Sequence, residues 1–442
     1  MSTNTSKEGK RTSDEFRPTN DTTSIAEGQV DEHLEPPAKQ RKTEANDQYL
    51  EAHRDEDDLL ALLDFTQLDT QTAISARFSE IADLLLHHYR VEIKTPSKID
   101  QLELLEIEFY LYKPGCHEDP FTHGSAEQCQ AGRWYFHRPP SRSNELGTPT
   151  AFTSGYRGGT RKGLDITIGH PAPAVTSKYF SDLDSTSADG SPSSSTSTLR
   201  GGILLRSIRR LSDKKVISGS SLLVDEILRL SGASTIPELI TDVWQNDISA
   251  FALPSSSRRS TMRIVRVSPS PADASGTAPA KPRIYRSPRI GLDLSHPSIT
   301  SSNLRTHPRV LFVGQPYRFF AHPHLLTANG RGQTFLGVYD AEEAASTHAT
   351  DSLERLEAIE EITGWKAFTV KNCFAEYRAG MEGSCDRGKP VERVLQKWLG
   401  ARGRDVGGSV KGWLRMMGTL RRFLSESERK AEDAGAVGAG HK

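Results

Sequence analysis

Four cysteines in 442 residues are too few for a disulfide framework. No run approaches the 18 apolar residues a membrane span needs, and no signal-peptide core follows Met1. Together these absences predict a soluble, intracellular chain without a membrane partner. Hydrophobic residues reach only 35 % and aromatics 7 %, too few for every segment to bury a core. The deficit is local. Residues 1–55 have few large apolar side chains, and 181–199 and 253–282 are Ser-, Pro- and Ala-rich. Such stretches cannot bury enough area to offset their ordering entropy, so a disordered tail and two disordered insertions are expected. A further disordered tail is expected over 429–442.

Charge of one sign is missing too. The net charge is −1, so no global field draws the chain to a polyanion. Its distribution is uneven, however. Residues 156–215 hold ten Lys/Arg against five Asp/Glu, and 391–424 hold eight against two. Separated basic segments suit a phosphate-facing surface, and equally an ordinary solvated face. Pro36-Pro37-Ala38-Lys39-Gln40-Arg41-Lys42 has the composition of a nuclear import signal.

What is present is a set of short strands with few helices between them. Ile74, Phe78, Ile81, Leu84 and Leu85 are spaced for an amphipathic helix over 71–90, followed by a strand from Tyr89 to Ile93. Strands are predicted at 104–112, 134–137, 163–168, 201–208, 288–292 and 316–320, and helices at about 218–231 and 235–242. This is an α+β domain on an antiparallel sheet, spanning 56–336. From 337 to 428 the pattern changes: 340–361 and 389–424 are helical in period, with Trp398, Leu399, Trp413, Leu414, Leu420 and Phe423 as anchors. That region reads as a helical appendage, packing on the sheet domain or on a protein partner.

Four constellations carry chemistry. Strand 104–112 alternates so that Glu106, Glu108, Tyr110 and Tyr112 share a face, with successive carboxylates about 7 Å apart. Buried, such a carboxylate becomes a base able to take a proton from water; solvated, the face is merely polar. Cys116, His117, Asp119, His123, Cys129 and His137 offer soft ligands, but their spacing fits no standard zinc site, and no metal is expected. Tyr156-Arg157-Gly158-Gly159-Thr160-Arg161-Lys162-Gly163 combines glycines, cations and an aromatic, suiting a phosphate backbone or a simple basic turn. Arg206 stands in an otherwise apolar strand, where it needs an anionic partner.

In this order the segments resemble the alkyladenine (3-methyladenine) DNA glycosylase family. Ala82-Asp83-Leu84-Leu85-Leu86 resembles the family's helix before its first strand, and Glu106-Ile107-Glu108-Phe109-Tyr110-Leu111 its Glu-x-Glu-Ala-Tyr-Leu strand. Asp119-Pro120-Phe121-Thr122-His123 resembles its acidic run ending in histidine, and Gly132 through His137 its Gly-x-x-Tyr-Val-Tyr strand. Gly202 through Ser207 is similar to Val-Leu-Leu-Arg-Ala, and Ser218 through Leu222 to Gly-Pro-Ser-Lys-Leu. Pro288-Arg289-Ile290-Gly291 and Pro316-Tyr317-Arg318-Phe319-Phe320 resemble the last two family segments. The matches span about 240 residues.

The resemblance implies a sheet curled into a partial barrel and a monofunctional glycosylase of base excision repair acting on duplex DNA. Such an enzyme flips out an alkylated or deaminated purine. Glu108 would match the general base and Arg206 its arginine neighbour. Tyr110 and His137 would sandwich the purine, and His123 would contact the flipped nucleotide. Tyr156 would fill the vacated stack from a hairpin tip, with Arg157, Arg161 and Lys162 on the phosphates. No cofactor is implied. Asp165 stands near a family asparagine that screens the purine, and a carboxylate there predicts altered specificity. The alternative is a nucleic-acid-binding protein of the same fold with altered or lost catalysis.

Overall fold

A computed structural model describes residues 59–139, 155–170, 199–251, 261–267, 281–326, 329–345, 352–383, 388–400 and 409–439. The N-terminal tail with its basic cluster, and the expected insertion from 181 as far as 198, lie outside these residues.

Thr70 caps helix α1 (Gln71–His87) by accepting from the Ala73 amide, and Ile74, Phe78, Ile81 and Leu85 bury one stripe. A strand, β1 (Tyr89–Lys94), follows and turns back into β2 (Ile99–Lys113). The 15-residue β2 is the spine of the fold. One edge pairs with β6 (Arg200–Arg210). The other pairs in turn with β1, with β10 (Arg318–Phe320) and with β3 (His117–Glu118). Outward from β6 lie β5 (Leu164–Ile168) and β4 (Trp134–Phe136), while β7 (Val216–Ser218) pairs with the far end of β6. β8 (Met262–Arg266) borders β1, and β9 (Tyr285–Ser287) borders β10. Every pairing between these strands is antiparallel, and the ten form a curled half-barrel.

Two departures from the sequence reading stand out. The strand expected at 288–292 lies at Tyr285–Ser287, because Pro288 has no amide hydrogen for a ladder and the chain turns there. β8 sits inside the stretch expected to be an insertion; its alternating Met262 and Ile264 are buried against β1.

Apolar side chains fall into two cores on opposite faces of the sheet. One holds α1, α2 (Ser220–Ser231) and the inward residues of β2, β5 and β6. The other joins Leu105, Tyr285 and Phe320 of the sheet to the C-terminal helices. These are α3 (Pro308–Val313), α4 (Arg331–Ala345), α5 (Ser352–Thr363), α6 (Ala367–Glu382), α7 (Val391–Leu395) and α8 (Val410–Ala439). The expected boundary at 337 cuts α4, whose Gly337 lies so close to β9 that a Cβ there would come within 2.6 Å of the Arg286 carbonyl. The helical appendage packs on the sheet domain, the first of the two expected arrangements, and its helices close over the outer face of the sheet. α8 also continues helical to Ala439, through the expected tail.

Candidate active site

The register aligns one row of residues across six strands. Tyr135 lies opposite Asp165, Asp165 opposite Leu204, Leu204 opposite Glu108, Glu108 opposite Arg318, and Arg318 opposite Ser287. Directly opposed residues point to the same face, so both carboxylates look away from the α1 core. The adjacent row, Trp134, Ile166, Ile203 and Phe109, fills that core.

Two compensating bulges shape the centre. Between Leu104 and Ile107 the pairing skips Leu105 on β2 and then Arg206 on β6. Leu105 is thereby turned into the helical core. Arg206 reaches both glutamates, with Nη1 3.4 Å from Glu108 Oε2 and Nε 3.4 Å from Glu106 Oε1.

Glu108 is fully buried and hydrogen-bonded at both oxygens. The Tyr110 hydroxyl donates to Oε2 at 2.8 Å, and the Ile290 amide donates to Oε1 at 2.7 Å. Burial, and then the neighbouring Glu108 charge, push the Tyr110 phenol well above its usual range. Tyr110 therefore stays protonated and remains a donor. Glu106 is held below the ordinary carboxylate range: burial would raise it, but Arg318, Arg206 and the Ser207 hydroxyl outweigh that effect. Arg318 Nε donates to Glu106 Oε1 at 2.6 Å and Nη2 to Thr334 of α4 at 3.0 Å, tying the sheet to the helices.

A second buried pair supports Tyr110. Arg289 bonds Asp119 through both terminal nitrogens, donates to the Phe109 carbonyl at 2.9 Å, and lies 4.4 Å from the Tyr110 ring centre. Burial would lower the guanidinium's pKa, but Asp119 raises it above its usual value. Both side chains of this pair are 0 % exposed. Nothing in the local sequence pairs Asp119 with Arg289, which lie 170 positions apart. The Ile290 amide, a main-chain donor, leaves no sequence signal at all.

Farther along the row, Asp165 accepts from His137 Nε2 at 2.8 Å and from Gln128 Nε2 at 2.9 Å. The Asp165 carboxylate leans over Gly202, where a Cβ would lie 2.6 Å from Oδ2. His123 stands 4.4 Å from the His137 ring. Burial, reinforced by His137, lowers the His123 pKa to about 4, so it is neutral at neutral pH. Tyr135 is pushed to about 12 by burial and by Asp165.

Glu108, Tyr110 and Arg206 are thus brought into one cluster, and His123, His137 and Asp165 into another on the same face. Tyr110 stacks on Arg289, and His137 lies against His123. Tyr156 is not at a hairpin tip. The Arg157 amide bonds the His137 carbonyl at 2.8 Å, placing Tyr156 near the base of the β4–β5 connection. There it is half-buried, edge-on to Phe136 and beneath the Arg138 guanidinium. Lys162 pairs with Asp225 of α2, the Arg157 side chain bonds the Arg138 carbonyl, and Arg161 is exposed. Of the second constellation only His123 and His137 are in ring contact with one another, while His117 lies elsewhere, bonding the Leu111 carbonyl and the Tyr317 hydroxyl. Among the described residues no group of three or more His, Cys, Asp or Glu is arranged to hold a metal ion.

No protein-family model matches the chain. Over 227 residues it is 27 % identical to an uncharacterised protein, L759, of Acanthamoeba polyphaga mimivirus, an alignment covering 49 % of this chain and 78 % of the viral protein.

Proposed function

We propose that the face around Glu108 hydrolyses the N-glycosidic bond of an alkylated or deaminated purine in DNA. The observation that carries this reading is the Glu108 carboxylate. It is withdrawn from solvent, oriented by Tyr110 and the Ile290 amide, and balanced by Arg206. In the reaction Glu108 accepts a proton from water and the water oxygen bonds C1′ of the deoxyribose. The C1′–N bond breaks with its electron pair leaving on the purine, and an abasic site remains. Arg206 sets a positive charge beside Glu108 and the Tyr110 hydroxyl fixes its orientation. Asp165, held by Gln128 and His137, sits along the same row and is the candidate for reading the base edge. Tyr156, Arg157, Arg161 and Lys162 approach the duplex, Arg161 as the exposed cation. Neither a metal nor a cofactor enters these steps, and the basic cluster at 39–42 would direct the protein to the nucleus.

A second reading is favoured by one feature of the same carboxylate. Both oxygens of Glu108 are already engaged and the side chain is 0 % exposed, which also suits a purely structural role in a nucleic-acid-binding protein. Incubation with duplexes carrying hypoxanthine or alkylated purine, followed by alkali, separates the two. Strand breaks at the lesion support the glycosylase, whereas retention of the duplex without breaks supports the binding protein.

A further inference from the structure

The other face of the sheet carries a cation that, among the described residues, meets no carboxylate. On β9, Arg286 lies opposite Phe319, which lies opposite Ile107. Its side chain therefore leaves the sheet toward α1, away from Glu108. The guanidinium lies 4.8 Å from the Phe319 ring centre. Nε donates to the Pro316 carbonyl at 3.4 Å, Nη1 to Ser79 Oγ at 3.1 Å and Nη2 to Ser75 Oγ at 3.0 Å. Every acceptor is neutral, and among the described residues no carboxylate forms an ion pair with Arg286. The contrast is internal to the protein: the buried Arg206, Arg289 and Arg318 each meet a carboxylate. Burial lowers the Arg286 pKa, the sign of a charge whose lost hydration is not made good.

This cation borders an open surface depression of about 470 Å³ lined also by Gln71, Thr72, Ser75, Gln315 and Tyr317. The lining contains no acid. A guanidinium has more N–H donors than three bonds consume, and each amide or hydroxyl at the rim can donate as well. A half-buried cation in a donor-rich depression with no acid in its lining suits an oxyanion.

We propose that this depression binds a small soluble oxyanion, a phosphate or carboxylate compound, with Arg286 as its cationic anchor. The site lies on the opposite face from Glu108 and does not depend on the reading of that face.

Calorimetric titration of the full-length protein with inorganic phosphate, and separately with succinate, tests this in a chloride buffer. At least one of the two binds, and which one identifies the anion class. Arg286→Gln weakens that binding at least about tenfold. Ser75→Glu, which puts a carboxylate beside the guanidinium, abolishes it and raises the thermal midpoint by supplying the missing counter-charge internally. If neither anion binds at about 10 mM, the proposal is wrong. Wild-type affinity in Arg286→Gln, or in a folded Ser75→Glu protein, is equally decisive against it.

Discussion

The Tyr110 hydroxyl donates to Glu108 Oε2 from two residues farther along the same strand, at 2.8 Å. Residues two apart on a strand share a face but do not normally touch at their ends. Here Arg289, stacked on the Tyr110 ring at 4.4 Å, packs that ring where its hydroxyl meets the carboxylate.

Tyr110→Phe is therefore expected to remove the donor while keeping the ring under Arg289. The loss of one oriented hydrogen bond to a buried carboxylate costs about 1–3 kcal/mol of stability and, at a catalytic base, about 100-fold in single-turnover rate. Urea unfolding and a burst assay on lesion duplex measure the two effects separately. A rate within a factor of about three of wild type would place Tyr110 outside the machinery.

The Asp119–Arg289 pair makes the strongest stability prediction. Both side chains are wholly buried, so Asp119→Asn leaves a buried cation without its counter-charge and costs about 3–5 kcal/mol. Replacing both residues by leucine costs less than the single change, because no orphaned charge remains. Urea midpoints of the single and double variants test this ordering.

His123 gives a pH signature. Its pKa is about 4 in the fold against about 6.5 unfolded. Between these values the unfolded chain binds the extra proton, so stability rises with pH and falls as pH drops from 6.5 toward 4. The slope contributed by this residue approaches about 1.4 kcal/mol per pH unit. Thermal midpoints of wild type and His123→Gln, scanned over this window, should converge toward pH 4.5, with the wild type falling more steeply. Parallel profiles would mean that His123 is not buried neutral. Glu106, lowered below the usual carboxylate value, adds its own loss only at more acid pH.

Where α6 and α8 cross, Gly380 and Gly418 bring the backbones together. A Cβ on Gly418 would lie 2.2 Å from the Tyr377 carbonyl, and one on Gly380 the same distance from that of Arg415. Gly418→Ala should destabilise by about 1–3 kcal/mol through overpacking, and an unchanged urea midpoint would show that the helices can part at little cost.

Much of this architecture was legible because alternation is a local signal. The 104–112 strand face, the α1 stripe and the isolated Arg206 each follow from neighbours in sequence, and each appears where expected. What failed was long-range. Nothing in the sequence tells that two bulges re-aim Arg206 and Leu105, or that Arg289 spans 170 positions to Asp119. Tyr156 had the composition of an exposed wedge but found Arg138 and Phe136, partners that only the return of the chain supplies. α6 escaped notice because Val370, Cys373, Tyr377 and Gly380 make a weak stripe, apolar only where a second helix meets it.

The central claim is that Glu108 accepts the proton from water. Its most direct test compares wild type and Glu108→Gln on a duplex carrying hypoxanthine or alkylated purine, scoring alkali-labile breaks in a single turnover and duplex binding by titration. The account predicts breaks with wild type, a fall of at least about 1,000-fold in the variant, and binding held within about threefold. Equal base release by both proteins, or none by wild type, would contradict it.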